Sequence, residues 1–313
     1  MSLKLGDDEL KKYTGEIGLF IVAIIWGSGF VGTQLAIDSG LRPNQIMAIR
    51  FFIATILMSA IFWKNIKDIN KSTIKAGMMI GTFLFIGFVF QTYGILFTTP
   101  SKNAFITATN VVIVPFIGYI LYKRKLDKIG IISSIISLIG IGILSLESDF
   151  SVSIGDVLTL ICAFGFALHI FFTGEFAKEH DPIALTAVQL GTAFVLSLGL
   201  LLITKETNIP ISAKGLGAVG YLAVFSTTIC FLLQTVCQAK TTQTKTAIIL
   251  STEAVFGTIF SIIILKEVVT VKMVVGSILI LFGIIMAETK LSFLTKKDKQ
   301  IEETSIIKEE PLS

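Results

Sequence analysis

Residues 15–37 read Gly-Glu-Ile-Gly-Leu-Phe-Ile-Val-Ala-Ile-Ile-Trp-Gly-Ser-Gly-Phe-Val-Gly-Thr-Gln-Leu-Ala-Ile, with Glu16 the only charge. A helix needs roughly 20 mostly apolar residues to cross the hydrocarbon core of a bilayer, so this stretch predicts a membrane span. Moving outward, the same pattern recurs at 44–63, 73–96, 101–122, 128–147, 152–172, 183–204, 214–235, 245–265 and 270–288, which makes ten spans. Strands are not expected, because barrel strands need alternating apolar and polar residues over short stretches. Of the 313 residues, 53% are hydrophobic and only 15% charged, and the mean hydropathy is +0.83. Soluble proteins carry about 25% charged residues, so lipid is the expected solvent for much of this surface. The fold class is therefore all-α integral membrane.

The charges give the orientation. The formal net charge is +4, but the basic residues form short clusters between apolar runs, which argues against a nucleic-acid face. Clusters such as Lys64–Lys67–Lys71–Lys75 and Lys123–Arg124–Lys125–Lys128 fall on the side shared by both termini; Arg42, Lys102, Lys205, Lys214, Lys266 and Lys272 fall on the other. By the positive-inside rule both termini are expected in the cytoplasm, of a multi-pass protein in the cell membrane. Residues 1–14 hold Asp7, Asp8 and Glu9 and no small-residue cleavage site, unlike a cleaved signal peptide. Residues 289–313, rich in Lys and Glu, read as a disordered cytoplasmic tail. Cys162, Cys230 and Cys237 all lie in apolar segments without a CxxC pair, so neither a disulfide framework nor a metal site is indicated.

The chain repeats itself. Gly15-Glu16 matches Gly155-Asp156 at an offset of 140, and Pro43 and Arg50 match Pro182 and Gln189 at 139. Gln91-Thr92, Thr98-Thr99, Ala104 and Gly140 match Gln234-Thr235, Thr241-Thr242, Ala247 and Gly283 at 143. Each unit holds five spans, and an odd number enters the second copy upside down. Two inverted five-helix repeats are thus expected, an architecture of many secondary transporters whose site lies where the repeats meet.

Trp26-Gly27-Ser28-Gly29-Phe30, Arg50-Phe51, Leu250-Ser251-Thr252-Glu253-Ala254-Val255-Phe256 and Leu265-Lys266-Glu267 together resemble the EamA type of the drug/metabolite transporter superfamily, across about residues 15–288. The resemblance implies a repeat at 15–147, a second at 152–288, and a carrier for metabolites such as amino acids, often an exporter. One departure is Ala254, where many second repeats of that family place a proline after the glutamate.

Ionisable groups inside spans are functional hypotheses by default; here they are Arg50, His169 and Glu253. Glu253 suits a group that binds a substrate amine or exchanges a proton for it; structurally, it could be tied to a hydroxyl on a neighbouring helix. Arg50 could clamp a carboxylate or pin helix ends. His169 could relay protons or simply pack. Asn110 and Gln91 are the repeat mates of Glu253 and Gln234, and Trp26 and Tyr93 offer rings to an apolar or cationic solute. Pro115 is expected to bend its span. No phosphate-cradling loop with its lysine is present, so ATP is not the direct driver.

The expectation is a secondary transporter of a small metabolite, an exporter working by alternating access, with a proton as candidate coupling ion. The alternatives are a multidrug carrier for cationic compounds and, in another class, a non-transporting scaffold or sensor. An enzyme is not expected, since the ionisable groups are scattered and unpaired, and no cofactor is implied. The partners expected are a small solute and the lipid bilayer, with oligomeric state left open.

Overall fold

In the computed structural model, residues 3–123, 128–145, 152–210, 212–240, 246 and 249–289 are described, and they contain helices and no extended ladder. The long elements are α1 (Leu3–Asp38), α2 (Pro43–Ile61), α4 (Lys71–Ile95), α8 (Ile154–Phe176) and α9 (Pro182–Ile203), with a short α3 (Trp63–Ile66) after α2. Between them lie α5 (Pro100–Ala108), α6 (Asn110–Tyr122) and α7 (Lys128–Ser145); then come α10 (Ala213–Tyr221), α11 (Cys230–Gln238), α12 (Glu253–Phe260) and α13 (Val271–Thr289). Seven stretches are long and apolar enough to cross a membrane: Thr14–Asp38, Pro43–Ile61, Lys71–Ile95, Pro100–Tyr122, Ile154–Phe176, Pro182–Ile203 and Ala213–Gln238. The segments expected at 128–147, 245–265 and 270–288 form shorter apolar helices, Ile131–Leu144, Ile249–Leu265 and Val271–Met286. The first helix already begins at Leu3, inside the expected N-terminal segment. The tail beyond residue 289 lies outside the described residues.

Helix starts follow local chemistry. Pro43, Pro100 and Pro182 each occupy the first helical turn, where a missing N–H costs nothing. Thr99 and Asp181 cap two of these by accepting from the backbone N–H of Lys102 and Ala184. Three long segments are interrupted. Thr109 separates α5 from α6, with its hydroxyl donating back to the Ile106 carbonyl at 2.6 Å. Thr252, 143 residues later, stands before α12 and donates likewise to the Ile249 carbonyl at 2.6 Å. The break before Glu253 therefore forms without a proline. Between α10 and α11, residues Leu222–Ile229 are wound as a π-helix, with the Thr227 hydroxyl donating five residues back to the Leu222 carbonyl.

Close packing relies on missing side chains, as expected where helices meet in lipid. A Cβ on Gly27 of α1 would stand 2.8 Å from the backbone nitrogen of Gly257 on α12, and one on Gly140 of α7 would stand 2.9 Å from the Gly276 carbonyl on α13. At one end of the bundle the Ser153 hydroxyl donates to the Phe97 carbonyl at 2.6 Å, Gln45 donates to the Glu206 carbonyl at 2.8 Å, and the Ser101 hydroxyl donates to Glu267 at 2.8 Å. Asn44, just past the turn that follows α1, donates to both Tyr93 Oη and Thr204 Oγ1, so the end of α1, the end of α4, the start of α8 and the end of α9 share this end. At the other end, Thr73 near the start of α4 bonds His180 beyond α8 at 3.0 Å.

Candidate functional site

One cavity of about 50 Å³ lies among these helices, lined by residues that include Trp26, Thr33, Arg50, Phe88, Gln91, Asn110, Phe166, His169, Ser226, Phe231 and Glu253. Of the residues expected at a site, it collects Trp26, Arg50, Gln91, Asn110, His169 and Glu253. Tyr93 and Gln234 are not brought to it. The Tyr93 hydroxyl instead accepts from Asn44 at 2.8 Å. Gln234 is fully buried, and neither polar atom of its amide has a hydrogen-bond partner among the described residues.

Asn110 and Glu253 are the first residues of α6 and α12. Each stands just past a helix break, where unsatisfied backbone N–H groups give the terminus a partial positive charge. Asn110 is 4% and Glu253 7% exposed, and the Asn110 side-chain carbonyl has no partner. Glu253 forms no ion pair among the described residues.

Arg50 is the largest fully buried side chain. Its Nε donates to Thr227 Oγ1 at 2.9 Å, and a terminal nitrogen lies 3.4 Å from Ser226 Oγ. Its guanidinium sits 4.3 Å above the centre of the Phe88 ring. It also forms no ion pair among the described residues. The π-helical turn places Ser226 and Thr227 against it, an instance of local widening at a polar site. The same turn offers the Ser226 carbonyl to Trp26 Nε1 at 2.9 Å. Reading the sequence missed Ser226 and Thr227; the available signal was the polar triplet Ser226-Thr227-Thr228 inside an apolar span.

Aromatic rings close one wall. Phe88 and Phe231 are 143 residues apart, and their ring centres meet at 5.9 Å. Phe166 packs edge-on to Phe88 at 5.3 Å, and Trp26 lies 5.1 Å from Phe231. His169 stands edge-on to Phe231 at 5.6 Å, and its Nε2 is 2.8 Å from Gln189 Oε1. Among the described residues no group of three or more His, Cys, Asp or Glu could hold a metal ion.

Apolar helices long enough to cross a membrane, enclosing buried polar groups, define an integral membrane protein with a polar interior, and similarity to known proteins gives its class. The EamA-like transporter family matches twice, over residues 13–146 and 153–289. The chain belongs to this family, and so to the drug/metabolite transporter superfamily. It is 32% identical over 286 residues to an uncharacterized transporter of Archaeoglobus fulgidus, covering 91% of this chain and 89% of that one. An uncharacterized transporter of Clostridium kluyveri is 23% identical over 290 residues, covering 87% and 92%. A crystal structure with 15% sequence identity superposes with a TM-score of 0.66, over 88% of this chain and 96% of that one, a likeness of fold.

Proposed function

We propose that this protein is a secondary transporter that exports a small zwitterionic metabolite, such as an amino acid, by alternating access. The observation that carries this reading is the meeting, in one cavity, of a buried carboxylate and a buried guanidinium that do not pair with each other. Burying such groups unpaired is costly, and a solute with an ammonium and a carboxylate would answer both. Glu253 takes the ammonium, or a proton in exchange for it. Arg50 takes the carboxylate, with Asn110, Gln91 and His169 completing the polar lining and Trp26 the apolar one.

The proposal includes ten spans in two inverted units, 15–147 and 152–288, with both termini in the cytoplasm of a cell-membrane protein. The helix breaks at Thr109 and Thr252 support the repeat. The inversion is supported by the shared end of the bundle, since α1 finishes where α8 begins. Movement of one unit against the other would then open the cavity to each side in turn. A carrier for larger cationic compounds is the second reading, favoured by the rings of Trp26, Phe88, Phe166 and Phe231 in the lining of the cavity that holds Glu253.

The test is exchange of labelled amino acids by purified protein in liposomes. Glu253→Gln should abolish or uncouple exchange while the folded protein is recovered in full. Equal exchange by parent and variant from pH 5 to pH 8 would remove Glu253 from the mechanism.

A further inference from the structure

Behind the cavity wall lie two buried polar side chains, Gln189 and Thr235, that the carrier reading leaves unused and that lead to His169 in the lining. Thr235 Oγ1 is 2.8 Å from the Phe231 carbonyl, Gln189 Nε2 is 3.2 Å from Thr235 Oγ1, and Gln189 Oε1 is 2.8 Å from His169 Nε2. Gln189 and Thr235 are fully buried and His169 is 1% exposed.

The 2.8 Å bond from the Thr235 hydroxyl to the Phe231 carbonyl sets the direction of this hydrogen-bond chain. A carbonyl can only accept, so the single hydroxyl hydrogen of Thr235 is spent on Phe231. Thr235 Oγ1 must then accept from Gln189, which places the amide NH2 at Thr235 and the amide oxygen at the ring. That oxygen can only accept, so His169 Nε2 must carry a hydrogen. Thr173 Oγ1, 3.5 Å from the same nitrogen, is at the limit of bonding distance. The other ring nitrogen, Nδ1, has no hydrogen-bond partner among the described residues, and His169 is part of the cavity lining. No carboxylate pairs with the ring, and an unpaired buried imidazolium would be costly, so the ring is neutral and Nδ1 is a bare acceptor.

We propose that Gln189 and Thr235 are positioning residues that hold neutral His169 in its Nε2–H form, so that Nδ1 accepts an N–H from the cationic end of a solute and turns a carboxylate away. The identity of the visitor rests on the carrier reading; the state of the ring does not. Together with Glu253, His169 then marks the part of the cavity that receives the ammonium group.

The chain has only two histidines, so 15N-histidine labelling of the whole protein in lipid nanodiscs gives two rings, and His180→Gln identifies His169 by subtraction. The expected spectrum has His169 protonated on Nε2 alone, with Nδ1 in the unprotonated range. Methylammonium chloride should shift the Nδ1 resonance, whereas sodium acetate and sodium chloride should leave it in place. Thr235→Val frees the Gln189 amide to flip, and Gln189→Leu removes it; each should bring up a Nδ1–H signal absent from the parent. An imidazolium or a Nδ1–H ring in the parent overturns the proposal, as does an unchanged ring in Thr235→Val. So does a Nδ1 resonance that acetate moves and methylammonium does not, or that neither moves. Absence of exchange in liposomes would defeat the carrier reading and leave the parent's ring assignment standing, so the two failures are separable.

Discussion

Replacing Arg50 with methionine separates its role as a binding group from its role as a structural one. Methionine keeps much of the length and the apolar stem of the arginine. Thr227 still donates to the Leu222 carbonyl at 2.8 Å after the arginine is gone, so the substitution strands no hydroxyl hydrogen there. The lost 2.9 Å bond to Thr227 and the ring contact are offset by no longer burying an unpaired charge. Folding stability should therefore change by no more than about 1 kcal/mol. Binding should behave differently, because charge-assisted hydrogen bonds to a carboxylate contribute about 1.5–3 kcal/mol, roughly a 10- to 150-fold change in affinity at 1.4 kcal/mol per decade. The assay is competition against exchange in liposomes, using an L-amino acid that the parent exchanges and the matching amine without its carboxylate. Affinity for the amino acid should fall by that factor while affinity for the amine holds within about two-fold. An equal loss for both, or a collapse of thermal stability, would show that Arg50 holds the helices together and does not read the solute.

Other consequences are open to direct measurement. Gly27→Leu should lower stability by roughly 1–3 kcal/mol in thermal unfolding, because its Cβ would stand 2.6 Å from the Phe256 Cβ and 2.8 Å from the Gly257 nitrogen. Asp156→Ala removes the acceptor of the Thr98 hydroxyl and the partner of Lys102 at 3.8 Å; a loss of about 3 kcal/mol should appear in the same assay, and no loss would mean that this end of the bundle is held elsewhere. Topology can be read from single cysteines in a background without Cys162, Cys230 and Cys237, all of which are buried. Lys205→Cys should react with an impermeant maleimide on whole cells, and Asp68→Cys only after permeabilisation; the reverse pattern would invert the proposed orientation.

What could be read beforehand followed from chemistry that lipid enforces. Long apolar runs become helices because no water is present to satisfy an open backbone. Residues such as Glu253, Asn110, Arg50 and His169 stand out because polar groups are rare among them. What escaped depends on which way a helix faces. Gln91 and Tyr93 are two residues apart, which turns them about 200° from each other on a helix of 3.6 residues per turn; Gln91 faces the cavity and Tyr93 faces Asn44. Phe88, one turn before Gln91, shares its face but was not singled out in the sequence, where it is one phenylalanine among 25. The π-helical turn at Leu222–Ile229 has no such signature. It shifts Ser226 and Thr227 in register, so no wheel drawn at 3.6 residues per turn would place them on Arg50. The break before Glu253 was hidden by Ala254, because a threonine hydroxyl and not a proline ends the preceding turn.

The touching pair Phe88–Phe231 has one more consequence. Gln91 follows Phe88 by one turn and Gln234 follows Phe231 by one turn, so the inverted units proposed above would set them on opposite sides of this aromatic pair. Gln91 reaches Thr107 at 3.5 Å, but the position corresponding to Thr107 in the second unit is Leu250, and the Gln234 amide has no partner among the described residues. A carrier with matched halves would rest equally in either posture. Under the alternating access proposed above, the unpartnered amide would favour any posture in which water reaches Gln234 over the mirror-image one.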